Sequence, residues 1–250
     1  MLEKAENLNL DSLIELAYDP YLPGAEVLIT GLLEAGKLSS NLDEKQKEAL
    51  GVLNSWDFTV AKNSVPMTLT QYYLNAYIAS GKIEYRRKGF IKMINYMSKE
   101  SSKEERLSIF SKAIENLESD FGKWQTPWGE YNRYQRINGD IVQKFNDSLE
   151  SIPVGMASGY WGALASFGTR KGENTKRIYG VGGNSFVAVV EFGDKVPAKS
   201  LLAGGQSGDP ESPHFDDQSK PYADASFKTV AFYKEDVLKR AQSTYHPGEN

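Results

Sequence analysis

Apolar residues recur at helical spacing through the first half of the chain. Leu10, Leu13, Ile14 and Ala17 share one face of a helix expected over Leu10 to Tyr18, with Asn9 as its N-cap. Asp19-Pro20 closes it, because the residue before a proline is pushed out of the α region. A second helix, Pro23 to Ala35, carries Val27, Leu28, Leu32 and Leu33, with Gly36 as its stop. Asn41 or Asp43 opens a third that runs to about Leu53. Ser64-Val65-Pro66 starts a fourth, in which Leu69, Tyr72, Tyr73, Ala76 and Tyr77 repeat. Between these two, Trp56 and Phe58 flank Asp57 and predict a packed connection. Lys82 to Met97 reads as a basic amphipathic segment. Two overlapping capping boxes follow, Ser101 with Glu104 and Ser102 with Glu105. They open a helix to about Phe121 whose inward face is Leu107, Phe110, Ile114 and Leu117.

From Gly122 the pattern changes to aromatic loops and strands, which divides the chain into a mainly helical part, 1–121, and a loop-and-strand part, 122–250. Ser185 to Phe192 (SFVAVVEF) reads as a strand with both faces at least partly covered. Gly193-Asp194-Lys195 with Pro197 turns the chain, and Ala198 to Ala203 returns as its partner. Thr229 to Tyr233 is a third expected strand and Glu235 to Ala241 a short helix. The class is therefore α+β: a helical N-terminal half followed by antiparallel strands. After the strand pair comes a long loop, Gly204 to Gln218 (GGQSGDPESPHFDDQ), whose composition predicts that its own polar contacts hold it.

Composition narrows the functional classes. The chain of 250 residues has net charge −4 and is 25% charged and 12% aromatic, which fits a globular fold without a nucleic-acid footprint. The run Arg86-Arg87-Lys88 is too short to track phosphates and reads as a solvated helix face. Absence of cysteine excludes thiol catalysis, disulfides and thiolate-ligated zinc. No apolar run approaches the ~20 residues of a membrane span. Glu3, Lys4 and Glu6 interrupt any secretory signal after Met1.

The two histidines frame the chemical possibilities. His214 lies near Ser207, Ser212, Asp216 and Asp217, so the residue types of a Ser/His/Asp triad occur together. Triads are assembled from distant segments, however, and Gly205-Gln206-Ser207-Gly208-Asp209 is no nucleophile elbow. The alternative role for Asp209, Asp216, Asp217 and Gln218 is to hold the loop in shape. His214, Asp216, Asp217 and Asp209 offer nitrogen and oxygen ligands, but without zinc or EF-hand spacing. Gly180-Val181-Gly182-Gly183 precedes a strand instead of opening a helix, so it reads as a flexible lead-in and not a phosphate cradle. Trp128, Tyr131, Tyr134, Tyr160 and Trp161 are candidates to line a pocket or to fill the core.

Strand, turn, strand and then GQSGDPESPHFDDQ (Gly205 to Gln218) resembles the C-terminal signature of the penicillin acylase family, in its branch of acyl-homoserine-lactone, aculeacin-type and cephalosporin acylases. The likeness extends through WGEYNRYQ (Trp128 to Gln135), IPVGM (Ile152 to Met156) and LNSWDFTVAKNS (Leu53 to Ser64). It implies an N-terminal-nucleophile hydrolase of acyl amides, in which an N-terminal Ser attacks with its own α-amine as base. Met1-Leu2 offers no such nucleophile, and Ser40-Asn41, the pair with which such catalytic chains begin, is followed by Leu42, Asp43, Glu44 and Lys45, a capped helix start. The resemblance thus places this chain in the later half of a catalytic β subunit, with nucleophile and oxyanion Asn upstream. Its strands would complete an αββα sandwich, and the chain alone is expected to be inactive; the alternative reading is a stand-alone, non-catalytic module that binds a ligand with its aromatic loops. Its implied partners are the α subunit, the N-terminal part of the β subunit and a small acyl amide. No cofactor is assigned to the chain. Calcium in the whole enzyme would take ligands outside it, and the implied compartment is periplasmic or extracellular.

Overall fold

The computed structural model describes residues 5–82, 89–246 and 248. Helices α1 (Leu10–Ala17), α2 (Pro23–Lys37), α3 (Glu44–Asn54) and α4 (Val65–Ala79) follow one another, then α5 (Phe90–Asn95), which continues as a π-helical turn over Tyr96–Glu100. Helix α6 (Lys103–Phe121) ends at Gly122 in the left-handed conformation. The caps are those the sequence predicts at Asn9, Asp43 and Ser64, each accepting backbone N–H groups of the first turn. Of the two candidate boxes before α6, Ser102 is the N-cap. Ser101 instead accepts from Tyr77 and from Arg106 in the interior. The basic run at 86–88 lies outside the described residues.

Helix α2 corrects the reading of Gly36. Gly36 is the penultimate residue of the helix, which ends at Lys37, and a Cβ there would meet Leu50 Cδ1 of α3 at 2.8 Å. The glycine permits close helix packing and does not terminate the helix. The buried face of α2 is Ala25, Leu28, Ile29 and Leu32, and Val27 points outward at 39% exposure. These residues join Met67, Leu69, Tyr73 and Tyr77 of α4 and Phe110, Ile114 and Leu117 of α6 in the main core. Tyr73 packs edge-to-face on Phe110, 5.9 Å between centroids. Buried Arg106 donates to the carbonyls of Gly31 (3.0 Å) and Ser101 (2.8 Å). Trp124, Trp128, Tyr131 and Trp161, from beyond residue 122, complete this core.

After the short helix α7 (Trp128–Tyr131), strands β1 (Asn132–Tyr134), β2 (Ile152–Pro153), β3 (Phe167–Lys171) and β4 (Ile178–Gly183) form a sheet in the order β2-β1-β4-β3. Its β1–β4 pair is parallel, against the expected all-antiparallel pairing, while β1–β2 and β3–β4 are antiparallel. Gly180 to Gly183 are therefore strand and not a lead-in; the Phe167 ring occupies the place of a Cβ on Gly180. A second, antiparallel sheet is ordered β5 (Phe186–Val190), β6 (Ala198–Leu202), β7 (Lys228–Thr229). The third strand is shorter than the expected 229–233. Between β6 and β7 lies helix α8 (Ser219–Ala223), and α9 (Lys234–Arg240) follows β7. Val154, Phe167, Leu201 and Tyr222 form a second, smaller core. The fold is α+β.

Strand β5 is covered on one face and largely exposed on the other, which corrects the expectation that both faces are at least partly covered. Val187 and Val189 face the side of Leu201, whereas Phe186 and Val190 turn away from it and are 64% and 39% exposed. Among the described residues no helix is long and apolar enough to cross a membrane.

Candidate functional site

Three loops converge on the segment that begins with β1, and a different polar residue of it reaches each one. Asn132 is fully buried and donates from Nδ2 to the carbonyls of Val154 (2.8 Å) and Met156 (2.9 Å); among the described residues its Oδ1 has no partner. Gln135, 5% exposed, donates to the Asn146 carbonyl at 2.8 Å and accepts from the Asn146 N–H at 2.9 Å. Arg136 reaches the 204–218 loop, where its guanidinium donates to the carbonyls of Ser207 (2.8 Å) and Phe215 and lies 4.2 Å from the centre of the Phe215 ring. A guanidinium suits this place, because its fan of donors satisfies several carbonyls that point inward from one loop.

The loop closes on itself through Gln218 N–H to the Gly204 carbonyl (2.7 Å) and Ser207 N–H to the His214 carbonyl (3.1 Å). Asp209 accepts from the Glu211 N–H, as local loop-holding predicts, and Asp216 accepts from the Ser219 hydroxyl. Gln218 takes an ammonium hydrogen of Lys228 at 3.0 Å. Burial raises the Asp216 carboxyl above the usual carboxylate range, against the lowering effect of Ser219 and Arg136. Asp217 is held below that range, chiefly by its hydrogen bond with the His214 ring.

His214 Nδ1 and Asp217 Oδ2 are 3.0 Å apart, with the imidazole 71% exposed. Ser207 Oγ accepts from the Asp209 N–H at 3.1 Å, and among the described residues no hydrogen bond joins it to the imidazole. The triad types are thus neighbours without the connected order from nucleophile to base that acyl transfer requires. Among the described residues no group of three or more His, Asp or Glu side chains is placed to hold a metal ion. Ser40, whose hydroxyl donates to Asn41 Oδ1 at 3.3 Å, lies in the exposed turn before α3, and Asp43 caps that helix.

The aromatic candidates separate by burial. Trp128, Tyr131 and Trp161 are at most 3% exposed and belong to the core, with Trp128 Nε1 donating to the Met156 carbonyl at 3.2 Å. Tyr134 packs on Tyr222. Tyr160 is 63% exposed at the mouth of a 700 Å³ cleft between α4 and the β3–β4 hairpin. Sequence reasoning did not single out Arg136, Asn132 or Gln135. The signal was present: polar residues that can reach backbone groups interleave with tyrosines in the run YNRYQR.

The Penicillin amidase family model matches residues 1–239. The chain belongs to the Penicillin amidase family. Among solved structures, a thermostable penicillin G acylase from Alcaligenes faecalis aligns with 16% identity and a TM-score of 0.45, over 98% of this chain and 50% of that one. This chain therefore spans about half the length of that acylase chain.

Proposed function

We propose that this chain is the later part of the catalytic β subunit of an amide hydrolase of the acyl-homoserine-lactone, aculeacin and cephalosporin acylase branch. The whole enzyme cleaves an amide between an acyl group and an amine, such as a β-lactam side chain or an N-acyl-homoserine lactone. Nucleophile and oxyanion donors come from the N-terminal part of the β subunit, next to an α subunit, in a periplasmic or extracellular enzyme. Any calcium is held by ligands from those parts.

One observation carries this reading. In a chain of this family, the β5–β6–β7 sheet exposes Phe186 (64%) and Val190 (39%) on one face, and Phe192 (88%) and Phe232 (73%) beside it. An edge strand with a bare apolar face is a surface that another layer normally covers. The proposal makes that layer the remainder of a sandwich whose other strands hold the nucleophile.

The test has two arms. This chain alone is incubated with a chromogenic acyl-anilide and an acyl-homoserine lactone, and then refolded together with the upstream half of a family member that carries the N-terminal serine. No turnover in the first arm and serine-dependent turnover in the second is expected. Sustained hydrolysis by the lone chain would overturn the proposal, as would a chain that stays monomeric and gains nothing from its complement.

A further inference from the structure

We propose that Asn138-Gly139 is a self-modifying site: the Asn138 side-chain amide is lost through a succinimide, Gln143 holds the reaction back, and conversion loosens the 204–218 loop. The inference stands on these residues and not on the reading of the chain as part of an amide hydrolase.

The reaction needs a main-chain nitrogen that can reach Cγ of the preceding asparagine. Glycine obstructs that approach least, and Asn138-Gly139 is the one Asn-Gly pair of the chain. Serine, also small, follows Asn54, Asn63 and Asn184, but there the attacking N–H is occupied. Ser55 donates to the Gly51 carbonyl (3.2 Å), Ser64 to that of Ala61 (3.0 Å) and Ser185 to that of Gly183 (3.1 Å). Among the described residues the Gly139 N–H makes no hydrogen bond, and Asn138, Gly139 and Asp140 are exposed.

Packing requires glycine at this place. A Cβ on Gly139 would overlap the Gly208 carbonyl oxygen, so only glycine lets this turn lie against the 204–218 loop. Arg136 holds the same loop at the adjacent Ser207 carbonyl, 2.8 Å away. The labile bond thus sits beside the anchor of the loop.

Gln143 restrains the pair from both sides. Its Oε1 accepts from the N–H groups of Ile137 (2.7 Å) and Asn138 (3.2 Å). Its Nε2 donates to the Asn138 carbonyl (3.1 Å), to Asn138 Oδ1 (3.0 Å) and to the Asp140 carbonyl. Asn138 Oδ1 also accepts from the Asp140 N–H (3.0 Å), and Asn138 Nδ2 donates to Asp140 Oδ2 (3.0 Å). Cyclisation must turn the Asn138 side chain and main chain toward each other, which these bonds oppose.

Water is the one co-reactant. Gly139 N loses its proton and attacks Asn138 Cγ; the N–Cγ bond forms, the Cγ–Nδ2 bond breaks and ammonia leaves. Water then opens the ring at Cγ to give aspartate, or at the main-chain carbonyl to give isoaspartate, whose backbone is longer by one atom. Either product sets a carboxylate where an amide donor faced the Asp140 carboxylate, and like charges that close repel. The longer backbone also shifts Gly139 away from Gly208.

The experiment incubates the full chain at mildly alkaline pH and follows each asparagine by peptide mass spectrometry with detection of isoaspartate. Asn138 should convert ahead of Asn54, Asn63 and Asn184. Gln143→Ala should speed its conversion about fivefold or more, the factor that corresponds to one lost hydrogen bond. The unaltered chain unfolded in urea should also convert faster than the folded chain, a readout that stands even where the variant fails to fold. Hydrogen exchange in the converted chain should rise across 205–217 and stay unchanged in α4 and α6. Conversion led by another asparagine, no acceleration in a folded Gln143→Ala variant, a folded chain as fast as the unfolded one, or unchanged exchange across 205–217 would each overturn the proposal.

Discussion

The helices that precede residue 122 and the strands and loops that follow it are held by different forces. In the helical part the interior is largely apolar and aromatic, with Tyr73, Tyr77, Phe110 and Leu28 buried and Arg106 a rare charged intruder. Beyond it, the segment from Asn132 to Arg136 holds three loops through amides and a guanidinium aimed at backbone carbonyls. Apolar burial is non-directional and spreads over many residues. A polar spine concentrates its effect in a few side chains, each satisfying groups that would otherwise be buried without partners. One region should therefore fail globally when damaged, and the other locally.

The largest effect is expected in the apolar core. Phe110→Ala removes a fully buried ring and its edge-to-face contact with Tyr73, and should cost about 3–5 kcal/mol. Urea unfolding should show the loss in every probe at once, since Trp124, Trp128 and Trp161 share this core. A loss confined to the helices would break the view that both parts rest on it.

Arg136→Met comes next, at about 2–3 kcal/mol for hydrogen bonds from a charged donor. Hydrogen exchange should rise across 205–217 and leave α4 and α6 protected. If the helices lose protection in equal measure, the spine is no local device and the contrast fails.

The smallest effect sharpens the contrast at the junction. Asp224 joins Lys62 of the α3–α4 connection and Lys220 of α8, and its carboxyl is held below the usual range, first by Lys220 and then by Lys62. A depressed carboxylate pKa contributes stability above the unfolded value near ~3.9, and that stability is lost as pH falls through the folded value. Asp224→Asn should cost under about 1 kcal/mol at pH 7, as a partly exposed pair does. The difference from the unaltered chain should vanish once the pH has fallen below the folded value of Asp224. A cost that persists in acid would mean that shape, and not charge, matters at this position.

Much of the helical half was legible in the residue pattern. Asn9, Asp43 and Ser64 cap the helices that they precede, and Leu107, Phe110, Ile114 and Leu117 fall on one face. Gly36 misled because a glycine that ends a helix and one that admits a neighbouring helix look alike until Leu50 is in place. Strands β5 and β6 were legible from their β-branched run and turn. Strands β1 to β3 were not, because they are short and their register depends on partners far away in sequence. At the candidate site, the local hydrogen bonds of Asp209 could be read from the loop's composition. The reach of Arg136 across 71 residues to Ser207 could not.

By itself the sequence determined the helical repeats and their caps, the β5–β6 ribbon, the α+β class and, through GQSGDPESPHFDDQ with its upstream motifs, the family. Tertiary structure alone decided that Ser207, His214 and Asp217 form no connected triad among the described residues, and that β5 keeps one apolar face bare. The reason is physical. Periodicity and capping act within a few residues, where the chain's own geometry fixes neighbours, whereas sites and bare faces depend on which distant segments come to lie together.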